Sequence, residues 1–148
     1  MPLSSPGLRR FVNQALISTS RVPNPDRTQL SDAFSLLCDR LRQRFQSIFG
    51  TPATVALFTR ALHMAAQEYP WLIELKLNPE RCSLEGFDSA HARLESKDFA
   101  AGLAAVLAYD IGLLTAFIGE DFVMPLVQDA WGDASVADHR PATSEGEP

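Results

Sequence analysis

Residues 103–119, LAAVLAYDIGLLTAFIG, constrain the fold more than any other part of the chain. The stretch is almost entirely apolar and holds one charged residue, Asp110. A helix that is apolar on nearly every side must be covered by other elements, so we expect it at the centre of a helical bundle. Ser96 is the predicted N-cap, Asp98 complements the dipole in the first turn, and Gly119 ends the helix.

The same segment is long enough to span a bilayer, since residues 99–118 carry one charge. Against a membrane span, the segment is built largely from Ala and Gly, and a central Asp costs roughly 2.5–3.5 kcal/mol on insertion scales. Lys97 is its only positive flanking residue. The sequence therefore favours the core helix of a soluble bundle, and we expect no membrane contact.

Four further helices are indicated by apolar residues three or four positions apart. Prolines after residue 21 end the first, and Gly50 ends the second. Thr51 is the predicted N-cap of the third, with Pro52 at its first helical position, and Glu120 and Asp121 begin the last. The predicted apolar faces are Leu8, Phe11, Val12, Ala15 and Leu16; Leu30, Phe34, Leu37, Leu41, Phe45 and Ile48; Val55, Phe58, Leu62, Ala65 and Tyr69; and Phe122, Leu126, Val127 and Trp131. We predict a single all-α domain, a compact bundle of about five helices over residues 6–132, followed by a disordered acidic tail at 133–148.

Residues 70–89 break the helical period. Leu75 and Leu77 alternate with polar residues, but one isolated strand would have no partner. We expect an ordered connector fixed by Trp71, Leu72 and Phe87, and a short helix over residues 90–95.

Charge is divided unevenly along the chain. Residues 1–50 carry a net +4 and residues 51–148 a net −9. Solvated faces, a basic partner surface and attraction between the two halves are all compatible with this split. The sequence pI near 5.1 and the lack of a basic stripe interleaved with aromatics argue against nucleic-acid binding. With two distant cysteines and no export-signal pattern at the N-terminus, we expect reduced thiols and a cytoplasmic location.

Asp110 falls on the most apolar face of its helix, among Leu107 and Leu114. A buried carboxylate needs a partner or becomes protonated, because desolvating it unpaired is costly. We expect an arginine from the first third of the chain, with Arg9, Arg10, Arg40 and Arg44 as candidates, or a hydroxyl group such as that of Tyr69. Asp110 with Arg40 and Arg44 is then either a buried polar contact that fixes helix register or the wall of a ligand pocket.

The sequence has no recognisable catalytic or metal-binding motif. A glycine-rich phosphate loop, a nucleophile elbow and HExxH are absent, and Cys38, Cys82, His91 and His139 are scattered. His63 falls off the apolar stripe and is expected to be exposed. We predict a protein that is not an enzyme and has no metal or cofactor.

Four aromatic residues, Tyr69, Trp71, Phe122 and Trp131, flank connectors and are candidates either to close the core or to anchor an interface. The favoured function is a regulatory or adaptor protein that binds another protein through a helical face, with a homodimer as one form. The alternative is a small-molecule or cofactor sensor with a pocket near Asp110.

Overall fold

The apolar stretch lies in the most buried helix of the computed structural model, which describes residues 5–78, 83–85 and 94–132. In chain order, the described elements are α1 (Pro6–Ser20), α2 (Arg27–Phe49), α3 (Thr51–Glu68), a 3₁₀ segment (Pro70–Glu74), β1 (Lys76–Asn78), β2 (Ser83–Glu85), α4 (Ser96–Ile118) and α5 (Glu120–Trp131). Helix α4 contacts α1, α2, α3 and α5. The all-α bundle around a central apolar helix is confirmed. The tail at 133–148, Phe87 and most of the helix expected at 90–95 lie outside the described residues.

The first two helices begin at side-chain caps. Ser5 accepts a hydrogen bond from the backbone N–H of Leu8 at 3.1 Å. Asp26 and Gln29 form a capping box in which each side chain accepts a bond from the other residue's backbone N–H, at 2.8 and 2.9 Å. These caps satisfy amide groups that the first turn leaves unbonded, so both helices start where polar residues precede the apolar stripe.

Two predicted caps are wrong by one residue. Gly50, not Thr51, caps α3, and its φ of 88° also ends α2. Glu95, not Ser96, is the N-cap of α4 and makes no side-chain capping bond. Asp98 does lie in the first turn, and Gly119 ends the helix with φ 95°. A left-handed backbone at Gly50 lets α2 and α3 join without a connecting loop.

The connector contains a hairpin that the sequence analysis did not predict. Strands β1 and β2 pair antiparallel, with Leu77 opposite Leu84. The strand at Lys76–Asn78 therefore has a partner, and the expectation of an ordered connector without paired strands is corrected. Leu77 and Leu84 are seven positions apart. The alternation of apolar and polar residues in the first strand alone does not show which segment pairs with it.

A buried tryptophan joins three of the helices that surround α4. Trp131 of α5 is fully buried, stacks on Phe11 of α1 with ring centroids 5.8 Å apart, and donates from Nε1 to the backbone oxygen of Leu37 at 3.0 Å. One side chain thus joins α1, α2 and α5.

Among the described helices, α4 alone is long and apolar enough to cross a membrane, and 67% of its apolar window is buried inside the bundle. Core helices satisfy the same length and hydropathy criteria.

Candidate functional site

Asp110 lies inside the bundle, as helical phase predicts. It is 5% exposed, and its Oδ1 has no hydrogen-bond partner among the described residues. Burial raises the pKa of this carboxyl from 3.8 to about 7. Asp110 is therefore a proton-binding group near neutral pH, whereas an exposed aspartate stays ionised there.

The arginines expected beside Asp110 lie elsewhere. Arg44 forms an ion pair with Asp129 of α5, and Arg40 lines the same outer surface of α2. Arg10 is exposed, and Arg9 pairs with Glu68, with 2.7 Å between Nη2 and Oε2. Tyr69, the alternative partner, is not among the described residues that line the Asp110 cavity, and neither are the four predicted arginines.

Among the described residues that line the Asp110 cavity, Arg42 is the one with a permanent positive charge. The cavity's other lining residues are Cys38, Leu41, Phe45, Thr54, Phe58 and Leu107. Arg40 and Arg44 each lie roughly 160° from Arg42 around the helix, whereas Cys38 and Phe45 share its side. The phase of α2 was the signal that could have singled out Arg42.

The Asp110 cavity has a volume of about 10 Å³. That is about the space one water molecule needs, and far below the 300–1,000 Å³ of typical small-molecule sites. The described residues therefore leave no metabolite-sized space beside Asp110.

A larger, apolar groove lies on the other side of α4, between α1, α4 and α5. Its volume is about 690 Å³. Its lining residues are Ser5, Gly7, Leu8, Phe11, Gly112, Thr115, Ala116, Glu120, Met124 and Gln128. The three contributed by α4 lie roughly 140–240° around the helix from Asp110, so the groove and the buried acid occupy opposite faces.

Three large apolar side chains are exposed where α4 meets α5. Phe117 is 72% exposed, Phe122 49% and Ile118 38%. In the sequence they lie next to Ala116 or within two residues of Glu120, and both of these residues line the groove. The apolar spacing predicts Phe122 on the buried face of the last helix, but Val123, Val127 and Trp131 occupy the buried positions.

The four aromatic residues predicted to close the core or anchor an interface differ in how far they are buried. Trp131 is core and not an interface anchor, because it is fully buried. Trp71 and Tyr69 are half-buried and pack against the core. Of the four, Phe122 alone is exposed.

A charged cluster joins α1, α3 and α4 at the surface. Glu68 accepts bonds from Arg9 and from the Tyr109 hydroxyl, and the Arg9 guanidinium lies 5.4 Å from the centre of the Tyr109 ring. The bond from Arg9 holds the pKa of Glu68 below its usual value, while burial and then the Glu68 carboxylate raise the pKa of Tyr109. The cluster contains a paired carboxylate and no nucleophile.

The part of the chain that the structure describes contains no group of three His, Cys, Asp or Glu side chains able to hold a metal ion. Cys38 is buried and His63 exposed. Cys82, His91 and His139 lie outside that part.

Comparison with protein-family models, with curated proteins and with solved structures found no match. Function therefore has to be argued from the groove and from Asp110.

Proposed function

We propose that the protein is a non-enzymatic adaptor or regulator that binds an amphipathic helix of a partner protein in the groove between α1, α4 and α5. The observation that carries this proposal is the groove itself, about 690 Å³ of largely apolar space open at the surface. Apolar grooves between helices are a recurring site for the apolar face of a partner helix.

The shape of the groove suits a helix. Ala116 of α4 is small and exposed, so a partner backbone can approach closely there. Leu8 and Phe11 of α1 and Met124 of α5 line the groove beside it. Methionine is flexible and polarisable, which helps such a surface fit a partner side chain.

The charged residues at the edge of the groove indicate which kind of partner it fits. Glu120 lines the groove, and Asp121 follows it at the exposed start of α5. Ser5, Thr115 and Gln128 supply uncharged polar groups, and the groove-lining residues include no cation. Charge complementarity therefore favours a helix with a lysine or arginine next to its apolar face.

The exposed aromatic residues extend the surface beyond the groove. Phe117 and Phe122 stand on either side of the turn at Gly119 and offer large apolar contact areas. Aromatic side chains of this kind carry much of the binding energy at protein interfaces. Exposed apolar side chains gathered in one place more often mark an interaction site than scattered ones do.

Site-specific photo-cross-linking tests the proposal. A photoreactive phenylalanine at Ala116, which is exposed and lines the groove, is compared with one at Ala56, an exposed alanine on α3 that does not line it. In cells that make the protein, the probe at 116 should attach to a peptide with apolar residues at helical spacing and a flanking Lys or Arg. The probe at 56 should not.

Other products would contradict the proposal. A cross-link to this chain's own peptides would place a second copy in the groove. An apolar compound that copurifies, seen by native mass spectrometry, would place a small molecule there. The same peptide at both positions would mean that the contact is not specific to the groove.

A further inference from the structure

Three polar groups from three helices meet at the Asp110 cavity. Asp110 comes from α4, Arg42 from α2 and Thr54 from α3. The remaining lining residues are apolar side chains and Cys38. Polar atoms gathered around a space of about 10 Å³ are the setting in which buried water is found.

The unpaired atoms at this cavity are complementary. Asp110 Oδ1 is an acceptor and Arg42 Nε a donor, and both are buried with no hydrogen-bond partner among the described residues. The other nitrogens of Arg42 bond Gln46 and Asp39. Thr54 donates to the backbone oxygen of Gly50 at 2.9 Å, so its hydroxyl oxygen can still accept a bond.

We propose that Asp110, Arg42 and Thr54 form a hydration site for one water molecule, through which Asp110 releases and takes up its proton while the bundle stays folded. The water accepts a bond from Arg42 Nε–H and donates to Asp110 Oδ1 and Thr54 Oγ1. This uses three of its four bonding positions, the usual number for buried water. The released proton passes through the water to solvent.

The groups that face Asp110 make such a titration possible. Among the cavity-lining residues, α2 contributes Arg42 and the Cys38 thiol as titratable groups, α3 contributes Thr54 and Phe58, which do not titrate, and α1 and α5 contribute none. Burial raises the pKa of Asp110 to about 7. A water bridge to Arg42 stabilises the carboxylate and opposes this rise.

NMR of the full chain tests the titration. The Asp110 side-chain carboxyl carbon should titrate with a midpoint well above 3.8, while the amide spectrum remains that of the folded protein. Loss of the folded spectrum as Asp110 ionises would overturn the proposal.

Two variants on α2 test the role of Arg42. Arg42→Gln should raise the midpoint of the Asp110 titration by roughly half a pH unit. Loss of a direct contact with arginine would raise it by about one to three units, and the bridging water makes the effect smaller. Arg44→Gln, the matched control on the outer side of α2, should leave the midpoint unchanged. Equal midpoints in the two variants would contradict the site. If Arg42→Gln does not fold, Thr54→Val, which removes one acceptor of the water, should raise the midpoint, and an unchanged value would overturn the proposal.

A crystal structure at high resolution tests the water directly. One water within hydrogen-bond distance of all three groups is the expected result. A direct bond between Asp110 and Arg42, or a dry cavity, would overturn the proposal.

Discussion

The indole of Trp71 lies directly over Gly102 of α4. A Cβ at position 102 would overlap the indole and would lie 3.0 Å from Cε2. The same indole packs on Phe99, with ring centroids 5.2 Å apart. Trp71 therefore fixes the 3₁₀ segment to the central helix, and this contact requires the glycine.

Gly102→Ala should destabilise the protein by about 1–3 kcal/mol, because the added methyl group forces the indole out of its site. The measurement is the free energy of unfolding from urea denaturation. Gly7→Ala is the matched control: no heavy atom lies within 4 Å of a Cβ there, and the change should be neutral or stabilising by up to about 1 kcal/mol. Equal effects would show that Trp71 does not pack on Gly102.

The helices could be predicted from sequence, because apolar period and local capping residues determine them. Gly50, predicted to end the second helix, is the C-cap of α2. The caps were predicted less accurately, because the positive φ of Gly50, which makes it and not Thr51 the cap of α3, cannot be read from the neighbouring residue types. The β1–β2 hairpin was missed because it needs pairing between two segments.

The candidate site was only partly predictable. Burial of Asp110 follows from its phase on one helix, but the groups that surround it depend on how α2 and α3 rotate against α4. The sequence suggested Arg40 and Arg44, and the structure places Arg42 at the cavity. The apolar groove joins residues as distant as Leu8 and Met124, so no local pattern indicates it.

The free energy of unfolding should fall as the pH rises from 3.8 to about 7, because of Asp110. Its pKa is about 7 in the folded protein and near the ordinary 3.8 in the unfolded chain. The carboxyl is protonated in both states below pH 3.8, and its stabilising contribution is lost as the pH rises from there through about 7. At about 1.4 kcal/mol for each pH unit, the loss amounts to at most about 4 kcal/mol.

Asp110→Asn removes this dependence. Urea unfolding at several pH values between 5 and 8 should give the variant a flatter profile than the wild type. Relative to the wild type, the variant should become more stable as the pH rises. Parallel profiles would contradict a protonated Asp110.

The surface cluster gives a prediction for Tyr109. Glu68→Gln removes the carboxylate that raises the tyrosine pKa, while burial, the larger cause, remains. The pKa of Tyr109 should therefore fall but stay above 10, as followed by NMR of the ring. Stability should drop by no more than about 1 kcal/mol, since the Arg9–Glu68 pair is partly exposed. A pKa that rises or does not move would contradict the observed bond.

The Arg9–Glu68 ion pair also makes the free energy of unfolding depend on pH. Its contribution is lost as the pH falls, whereas that of Asp110 is lost as the pH rises. Arg9 lowers the pKa of Glu68, so the contribution of this pair is present above the ordinary value of 4.5 and is lost as the pH falls through the lower folded value. In Glu68→Gln, the acid side of the stability profile should be flatter than in the wild type.

Binding at the groove is the central claim. The measurement is fluorescence anisotropy with the labelled peptide recovered by cross-linking at position 116, titrated with wild-type protein and with two tryptophan variants. Ala116→Trp fills the groove and should raise the Kd at least about tenfold, equivalent to a loss of about 1.4 kcal/mol of binding free energy. Ala56→Trp, on the exposed face of α3, should stay within about twofold of the wild type, a difference of roughly 0.4 kcal/mol. Equal affinities for Ala116→Trp and the wild type would contradict the groove as the binding site.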